Sequence, residues 1–322
     1  MTQYIQRRLI ITLPILLGLT LITFILTELM PGDFVDAMVP REQKVALTTG
    51  QLQAIREAYG LDKPAPVRYV LWLSELARGN LGHSLRSGQP VLGEILERLP
   101  ATLQLTVTAL LFGIVTGTTL GLISAIKQYS WLDQVLTVLG FIWISTPGFV
   151  FAIGGIVLLS LKLHLVPTSG IEHYGESAGL LTRLHYLILP AAVLGLSDVA
   201  GFMRYARSSL LDVIRQEYIT AARAKGLDER RVLMVHALRN ALIPLITVIG
   251  LSVPGLLGGA VIIESIFAWP GIGTYSLAAI ASRDYPSIMG VTFVASCTVL
   301  LSNLVTDIAY GIADPRIRYV EA

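Results

Sequence analysis

The residues of this chain best suited to chemistry are the charged side chains of segment 217–245, EYITAARAKGLDERRVLMVHALRNALIPL, which stands between two apolar stretches. Arginines and lysines on short amphipathic helices bind other molecules rather than cleave bonds. Two kinds of binding remain open. The segment either lies on anionic lipid, which attracts its arginines, or docks onto a soluble protein.

Turn residues predict a helix–turn–helix inside this segment. Arg223 and Lys225 suit the last turn of a first helix, residues 208–225, because cations stabilise the negative end of the helix dipole. Gly226 supplies the left-handed residue that ends many helices, and Asp228 is expected to cap the second helix. The two helices are therefore predicted to form a compact knob.

An apolar stripe at helical spacing is predicted along the first helix. It consists of Leu211, Ile214, Tyr218, Ala221 and Ala222. Because the alanines keep the surface shallow, a partner can approach the backbone closely.

Patterns for nucleotide binding and covalent catalysis are absent from the sequence. A phosphate-binding loop needs a Gly-Lys pair followed by Ser or Thr, and no lysine here follows a glycine. The single cysteine, Cys297, cannot form a disulfide within the chain, and there is no zinc-ligand spacing or HExxH pattern. We therefore expect no cofactor, metal, nucleic-acid partner or enzymatic activity in this chain.

Two rival classes of membrane protein have less support. Gly195-Leu196-Ser197-Asp198 resembles the serine motif of rhomboid intramembrane proteases, but such a nucleophile needs a histidine base. The five histidines fall in loops or at membrane edges. A secondary transporter would show inverted repeats and buried ion-coupling charges, and neither is visible.

Composition places the chain in a membrane. Of its 322 residues, 53% are hydrophobic and only 14% are charged, whereas soluble domains carry roughly 25% charged residues. The mean hydropathy is +0.67. Too few charges are present to cover a water-facing surface, so lipid must be part of the solvent.

Six apolar stretches are long enough to cross a bilayer, which takes about 20 residues. They are residues 9–29, 102–126, 134–161, 186–206, 242–267 and 289–312. The first lacks the small-residue cleavage site of a signal peptide, so we expect it to be retained. The sequence predicts an all-α integral membrane protein with six transmembrane helices, forming one domain over residues 1–322.

The distribution of positive charge orients these spans. With both termini in the cytoplasm, the inner side holds Arg7, Arg8, Lys127, Arg204, Arg207, Arg215, Arg223, Lys225, Arg230, Arg231, Arg239, Arg316 and Arg318. The short outer loops hold Lys162, Arg183 and Arg283. Segment 204–240 is then a cytoplasmic loop, and segment 30–100 lies outside.

The outer segment 30–100 is predicted to be a helical insertion between spans one and two. Apolar residues recur at helical spacing in two runs, 52–59 and 70–77, with prolines between them and glycines after them. A cap over the outer mouth and a merely packed insertion remain equally open.

Small residues mark two of the spans. Gly113, Gly117 and Gly121 recur every four residues in span two, a spacing that lets helices approach closely. Span five is rich in glycine around Pro254 and should bend easily. Packing explains both features, and a gating role for span five is a further hypothesis.

The charged segment resembles the EAA loop of ABC importer permeases, with Ala221, Ala222, Gly226 and Pro244 at matching positions. The resemblance implies coupling helices that dock into a cleft of an ATP-hydrolysing subunit. Thr220 replaces the first glutamate of the general pattern, a departure shared with the peptide/nickel branch. The implied coupling residues are Glu217, Tyr218, Thr220, Ala221, Ala222, Arg223, Ala224, Lys225, Gly226, Leu227 and Asp228.

Further fragments, taken in order, resemble the first (B-type) permease subunit of dipeptide and oligopeptide importers. They are Pro31-Gly32-Asp33, Tyr59-Gly60-Leu61-Asp62-Lys63-Pro64, Gly79-Asn80-Leu81-Gly82-His83-Ser84, Ser145-Thr146-Pro147, Glu264-Ser265-Ile266-Phe267, Pro270-Gly271-Ile272-Gly273, Arg283-Asp284-Tyr285-Pro286 and Asp314-Pro315-Arg316. The resemblance covers almost the whole chain and implies the type I ABC importer permease fold.

This resemblance also implies partners. They are a second homologous permease, two ATPase subunits (identical or different) that bind ATP and Mg, an extracytoplasmic substrate-binding protein and the lipid bilayer. The expected location is the plasma or inner membrane of a bacterium or archaeon. Short peptides are the leading substrate, while relatives built alike carry nickel chelates, glutathione or oligosaccharides.

Two further groups of residues are implied as sites. The translocation path, or the interface with the second permease, would involve Asp198, Ser145, Pro147 and Pro254. The outer gate, or binding-protein contact, would involve Asp62, Arg283, Asp284 and Tyr285.

Charged residues within the spans need explanation, because a charge at a helix centre costs about 2.5–3.5 kcal/mol on insertion scales. Asp198, near the middle of span four, either lines the path and attracts the amino terminus of a peptide or makes a structural hydrogen bond, for example to the second permease. Glu264 and Asp307 stand near span ends, where snorkelling or capping is expected.

Overall fold

The computed structural model describes residues 2–30, 49–58, 61–171 and 179–313. Within them the chain is helical, apart from an isolated β-bridge between His83 and Pro90. The helices are α1 Thr2–Glu28, α2 Thr49–Ala58, α3 Ala65–Ala77, α4 Val91–Ile126, α5 Trp131–Ser145, α6 Gly148–Gly155, α7 Leu180–Ile214, α8 Glu217–Ala224, α9 Glu229–Arg231, α10 Leu238–Ala241, α11 Ile243–Ile266, α12 Ile272–Ser282 and α13 Tyr285–Ala313. Two π-helical stretches, Ile156–Lys162 and Val232–Ala237, follow α6 and α9.

The apolar helices agree with the prediction of six spans. Five are long and apolar enough to cross a bilayer, and a bent pair brings the number to six. The five are Ile10–Glu28, Val91–Ile126, Leu181–Ile214, Pro244–Ile266 and Tyr285–Ala309. The fragments Pro31-Gly32-Asp33, Tyr59-Gly60 and Asp314-Pro315-Arg316 lie outside the described residues.

Span three is broken, although the sequence predicted one continuous helix over residues 134–161. Helix α5 and the helix from Gly148 to Lys162 meet at an angle of 102°. The break lies at Thr146 and Pro147, where Thr146 is extended with φ −99° and ψ 125°. Proline disfavours helical conformation in the residue before it, which is the physical reason for the break.

Span two belongs to a helix longer than predicted. Helix α4 begins at Val91 rather than at residue 102, and it continues through Pro100 without interruption. Its first turns carry the charged residues Glu94 and Arg98. These charges limited the predicted apolar stretch to residues after 101, but they do not interrupt the helix. Hydropathy finds the membrane-crossing part of a helix and not its extension into water.

The helices group into two compact units. The first unit comprises Met1–Ile5, Ala101–Pro270 and Leu301–Ala322, and the second comprises Gln6–Pro100 and Gly271–Leu300. The division passes through α1, α4 and α13, whereas the sequence predicted one domain with an insertion at 30–100. Helices α2 and α3 lie in the two periodic runs of that insertion.

The second unit has its own apolar core. Its buried members are Leu76, Leu81, Val91, Ile95, Tyr275 and Val291. Helix α3 is also held against α1 by polar contacts: Arg68 forms an ion pair with Glu28, and the hydroxyls of Thr20 and Tyr69 lie 3.0 Å apart. Helix α3 is thus a packed part of this unit.

The first unit is organised by a close contact between α4 and α7. A Cβ atom added to Gly117 would lie 2.6 Å from the carbonyl oxygen of Val199, and one added to Gly121 would lie 2.3 Å from that of Met203. On α7, a Cβ added to Gly195 would lie 2.3 Å from the carbonyl oxygen of Ala109. The predicted glycine stripe therefore packs backbone against backbone. The contacts advance in the same order along both helices, so the two helices run parallel.

Polar groups at one end of α11 are buried, which corrects an expectation. Glu264 was predicted to snorkel or cap, but its side chain is fully buried and accepts a 2.6 Å hydrogen bond from Thr102 Oγ1. The buried indole of Trp269 donates to the carbonyl oxygen of Ala101 over 2.9 Å. Pairing makes burial of these groups tolerable in an apolar setting.

We predict that Gly117→Ala destabilises the protein, because the new methyl group overlaps backbone atoms of α7. Overpacking of this kind costs about 1–3 kcal/mol. The measurement is the thermal unfolding midpoint of the purified protein in a defined detergent.

Gly258→Ala is the matched control, since no atom lies within 4 Å of the added Cβ in α11. It should leave the midpoint unchanged or slightly raised, because alanine favours a helix interior over glycine. Equal midpoints for both variants would contradict the close packing of α4 and α7.

Candidate docking loop and associated residues

The candidate site is the segment between α7 and α11, residues 215–242, which we call the docking loop. The sequence predicted a single helix over residues 208–225, and this is wrong. Helix α7 continues to Ile214, Gln216 is extended with φ −73° and ψ 148°, and α8 begins at Glu217. Neither glycine nor proline marks the break, so helical periodicity alone missed it.

The break changes which face of α8 is buried. Ile219 is fully buried and Ala222 is 8% exposed, whereas Tyr218, predicted to lie in the apolar stripe, is 44% exposed. Ala221, in the same predicted stripe, is also exposed. The stripe was extrapolated from α7 across Arg215 and Gln216, where the helical phase is lost.

The docking loop shares an apolar core with the ends of two long helices. The buried members are Ala125, Leu210, Ile219, Ala222, Val232, Ala237 and Ala241. Ala125 belongs to α4 and Leu210 to α7. The hydroxyl of Ser209 adds a 2.8 Å hydrogen bond to the carbonyl oxygen of Ala241. The docking loop is therefore attached to both helices.

The turn after α8 is closed by the glycine that the sequence identified. Gly226 has φ +77°, and no atom lies within 4 Å of a Cβ built there, so only its backbone conformation demands glycine. Its N–H donates to Arg223 over 2.9 Å, and the N–H of Leu227 donates to Ala222 over 3.4 Å. These two bonds are the Schellman arrangement, which satisfies the last carbonyl groups of a helix.

A side-chain ion pair bridges the same turn. Arg223 donates from Nε and Nη2 to the two carboxylate oxygens of Glu229, over 3.0 and 2.6 Å. The hydrogen bond from Arg223 lowers the pKa of Glu229 below its usual value, and Glu229 in return raises the pKa of Arg223. The pair is largely exposed, so its contribution to stability is about 0.2–1 kcal/mol. The sequence analysis assigned Arg223 to the helix dipole and missed Glu229.

The second helix starts as predicted. The carboxylate of Asp228 accepts a 3.1 Å hydrogen bond from the N–H of Arg230, which caps the helix. A 3.0 Å hydrogen bond from Asn240 Nδ2 to Tyr218 Oη joins α8 to α10. Tyr218 is thus fixed by its hydroxyl group rather than by burial of its ring.

The outward face of α8 is polar or small. Its exposed members are Glu217, Tyr218, Thr220, Ala221, Arg223 and Ala224, and Lys225, which follows the helix, is also exposed. Its one large aliphatic side chain, Ile219, points inward, so this helix keeps no large aliphatic side chain for lipid.

Asp198 lies in α7 beside the glycine stripe of α4. Its Cβ would be 3.2 Å from a Cβ built on Gly113, and its side chain is partly buried. Among the described residues, no hydrogen bond or ion pair reaches its carboxylate. Ser197, in the protease-like motif, donates to the carbonyl oxygen of Leu194 over 3.0 Å.

The other three predicted path residues are separated along the chain. Ser145 and Pro147 flank the break in span three, and both are exposed. Pro254 is partly buried within α11. The break gives the Ser145-Thr146-Pro147 fragment a structural role that the sequence analysis did not foresee.

The four residues predicted for the outer gate or binding-protein contact differ in their exposure. Asp62 and Arg283 are exposed, and Arg283 adopts a left-handed conformation with φ +55°. Asp284 and Tyr285 are buried in the second unit, with 2% and 8% of their surfaces exposed. Only the first two side chains lie on a surface in this conformation.

Asp284 anchors the loop that precedes α4. Its carboxylate accepts hydrogen bonds from Ser84 Oγ over 2.5 Å, from the N–H of Leu85 over 3.1 Å and from Ser287 Oγ over 2.8 Å. Ser287 in turn lies 2.7 Å from the hydroxyl of Tyr275. Burial raises the pKa of Tyr275 to about 12, so this hydroxyl keeps its proton near neutral pH.

Helices that cross a bilayer, combined with a compact polar loop folded onto two of them, define a class of protein. It is a multi-pass membrane protein.

The chain belongs to the family of binding-protein-dependent transport system inner membrane components. The model of that family matches residues 117–319, and the model of its N-terminal region matches residues 1–106. Membership makes the chain a multi-pass protein of the inner membrane and not an ATPase, since other subunits of such systems hydrolyse ATP.

Relatives match over nearly the full length. The chain is 41% identical to the oligopeptide transport system permease protein AppB of Bacillus subtilis, over 99% of this chain and 100% of that protein. It is 37% identical to the dipeptide transport system permease protein DppB of Escherichia coli K12, over 99% of each chain.

A solved structure of the MetNI methionine ABC transporter, in an inward-facing conformation, has a similar fold. The TM-score is 0.55 at 16% identity, over 68% of this chain and 96% of that one. This similarity supports the type I importer permease fold.

We predict that Asp284→Ala destabilises the second unit, because it leaves buried donors of Ser84, Leu85 and Ser287 without their acceptor. An unsatisfied buried group costs about 1–3 kcal/mol. The measurement is the thermal unfolding midpoint of the purified protein.

Asp62→Ala is the control, because Asp62 is exposed and surface changes of this kind stay within about 0.5 kcal/mol. A midpoint for Asp284→Ala that equals the control would show that the buried carboxylate does not hold the loop.

Proposed function

We propose that the chain is the B-type permease subunit of an ABC importer of short peptides. The observation that carries this proposal is the full-length identity to oligopeptide and dipeptide permeases. In this proposal the chain encloses the path together with a second, homologous permease. It performs no covalent chemistry itself.

The docking loop is the contact for an ATPase subunit. Ile219, Ala222 and Val232 pack internally with Ala125 and Leu210, and α8 offers a polar, small-residue face outward. Met234 and Val235, on the π-helical stretch, are exposed. A helix that lies on lipid needs large apolar side chains facing the membrane. The exposed face of α8 therefore favours a protein partner over the lipid interpretation.

The basic residues of the docking loop give the contact its charge. Arg215, Lys225, Arg230 and Arg231 are all exposed. The positive-inside rule puts this loop, and both termini, in the cytoplasm. Two ATPase subunits, which hold ATP and Mg, would bind on this side, and a substrate-binding protein would deliver peptide to the opposite side.

Movement then enters the permease through the docking loop. When ATP binding closes the ATPase pair, α8 is displaced, and its apolar core carries the displacement into α7. The loop is continuous with α11, which holds Pro254 in its interior. Rearrangement of these helices exposes the path to the binding protein.

Asp198 supplies a negative charge for the path. Its carboxylate is partly buried at the middle of a span and has no partner among the described residues. Such a group faces a cavity or a neighbouring subunit. A peptide has a cationic amino terminus that this carboxylate attracts, and a hydrogen bond to the second permease is the competing role.

We predict that the complex, reconstituted with its ATPases and binding protein, imports free dipeptides better than N-acetylated ones. Asp198→Asn should reduce that preference, because the amide carries no negative charge. The measurement is uptake of both peptide forms into liposomes. Nickel chelates, glutathione and oligosaccharides serve as alternative substrates.

Ser197→Ala is the matched control on the adjacent, exposed position of α7. Unchanged discrimination in Asp198→Asn would assign this carboxylate to the subunit interface. Uptake of one of the alternative substrates in place of peptides would overturn the peptide proposal.

We predict that Gly226→Val impairs coupling, because a β-branched residue resists φ +77°. Peptide-stimulated ATP hydrolysis and uptake should both fall, while insertion into the membrane persists. The loss is measured with the reconstituted complex.

Gly226→Asn is the control, since asparagine tolerates the left-handed conformation better than other residues. It should retain much more activity than Gly226→Val. Normal coupling in Gly226→Val would refute the assignment of the docking loop.

A further inference from the structure

An ion pair between the buried carboxylate of Asp133 and the half-buried guanidinium of Arg207 joins α7 to the first turn of α5. Arg207 donates from Nε and Nη2 to Oδ1 and Oδ2 of Asp133, over 2.9 Å in each case. Asp133 is only 4% exposed. Two parallel charge-assisted bonds fix the relative orientation of both side chains as well as their distance.

Asp133 also binds the turn that connects α4 to α5. Ser124 Oγ, in the last turns of α4, donates to its carboxylate, and the N–H of Tyr129 donates over 3.0 Å. Asp133 therefore gathers donors from α4, from the connecting turn and from α7. We call Arg207, Asp133 and Ser124 the polar clamp.

The polar clamp adjoins the core of the docking loop. Arg207 precedes Leu210 by three residues on α7, and Ser124 directly precedes Ala125 on α4. Leu210 and Ala125 pack with Ile219 of α8 in one buried cluster. A displacement of the docking loop thus reaches the polar clamp through immediately neighbouring residues.

Helix α5 is a separate helical segment on the N-terminal side of the break in span three. It has 15 residues and ends at the break beside Pro147, where the direction of the chain changes by 102°. Asp133 lies in the first turn of α5, so the polar clamp holds this helix at the end far from the break.

We propose that the Arg207–Asp133 pair is a positioning element for transport, which carries movement of the docking loop into α5. This inference rests on the proposed function. Neither residue is placed on substrate or nucleotide, and both act through the helices that they join. Transmission then has three branches: α11 directly, α7 through the apolar core and α5 through the polar clamp.

An ion pair with a buried carboxylate and a half-buried guanidinium is not explained by stability alone. The cost of removing both charges from water often exceeds their attraction, and well-packed apolar substitutes are often neutral or stabilising. An apolar pair would hold the helices together without fixing their orientation. This difference separates a positioning role from a structural one.

The test uses the full complex, with its ATPases and binding protein, in a Cys297→Ser background. Ile142→Cys places a reporter on the exposed side of α5, and Leu251→Cys places one on the exposed side of α11. We expect the electron paramagnetic resonance spectrum of a nitroxide spin label at each reporter to change when a non-hydrolysable ATP analogue binds. This readout requires no peptide, so it is independent of the substrate proposal.

Asp133→Asn and Arg207→Lys should each abolish the nucleotide-dependent change at Ile142→Cys while keeping it at Leu251→Cys. Peptide uptake per ATP hydrolysed should fall about tenfold, within the usual range of coupling between sites. A retained change at Ile142→Cys overturns the proposal. Loss at both reporters also overturns it, because the defect would then lie in the docking loop itself.

The double variant Asp133→Asn with Arg207→Met tests the structural alternative, because it removes both charges and keeps an amide oxygen to accept from Ser124 Oγ and the N–H of Tyr129. We expect a thermal unfolding midpoint near that of the wild type but no recovery of the Ile142→Cys response. A double variant with both a wild-type midpoint and a restored Ile142→Cys response would overturn the proposal. If the double variant does not assemble, Arg207→Lys decides the matter, since it keeps the charge and loses only the bidentate geometry. Absence of peptide uptake by the wild-type complex would instead count against the proposed function.

Discussion

The close approach of α4 and α7 is the constraint on which the first unit depends. Glycines at 113, 117 and 121 bring the backbones together because lipid supplies no hydrophobic force between apolar helices, and packing must replace it. Helix α7 also carries Asp198, Arg207 and the start of the docking loop. The glycine contact thus sets the position of every functional element on that helix relative to α4.

Irregular backbone in apolar surroundings adds a second requirement, because unpaired polar groups cost several kcal/mol there. The turn after α11 meets it with the N–H of Trp269 bonded to the carbonyl oxygen of Glu264, and with the N–H of Gly170 bonded to that of Phe267, over 2.8 Å in each case. In the second unit, the carboxylate of Asp284 meets the same need for the loop before α4. Buried acids in this chain therefore organise turns.

Sequence reasoning found what depends on local composition. Apolar length located the six spans, and Gly226 with Asp228 located the turn of the docking loop, because each signal lies in a few consecutive residues. The break before α8 was not predicted, because neither glycine nor proline stands there. The bend in span three was not predicted either, although Pro147 is present in the sequence. The partners of Arg223, Asp133 and Asp284 were missed as well. For the last two, sequence separations of 74 and 200 residues leave no local signal.

Transmission of force requires that the docking loop deform less than the helices it moves. Three layers supply that stiffness: a Schellman turn at Gly226, an ion pair across it, and a core that includes Ile219. The exposed ion pair contributes little to stability, yet it restricts the angle between α8 and α9. Stiffness here comes from geometry rather than from binding free energy. In the proposed function, a soft loop would absorb the movement of its partner, whereas a stiff loop would pass it on to α4 and α7.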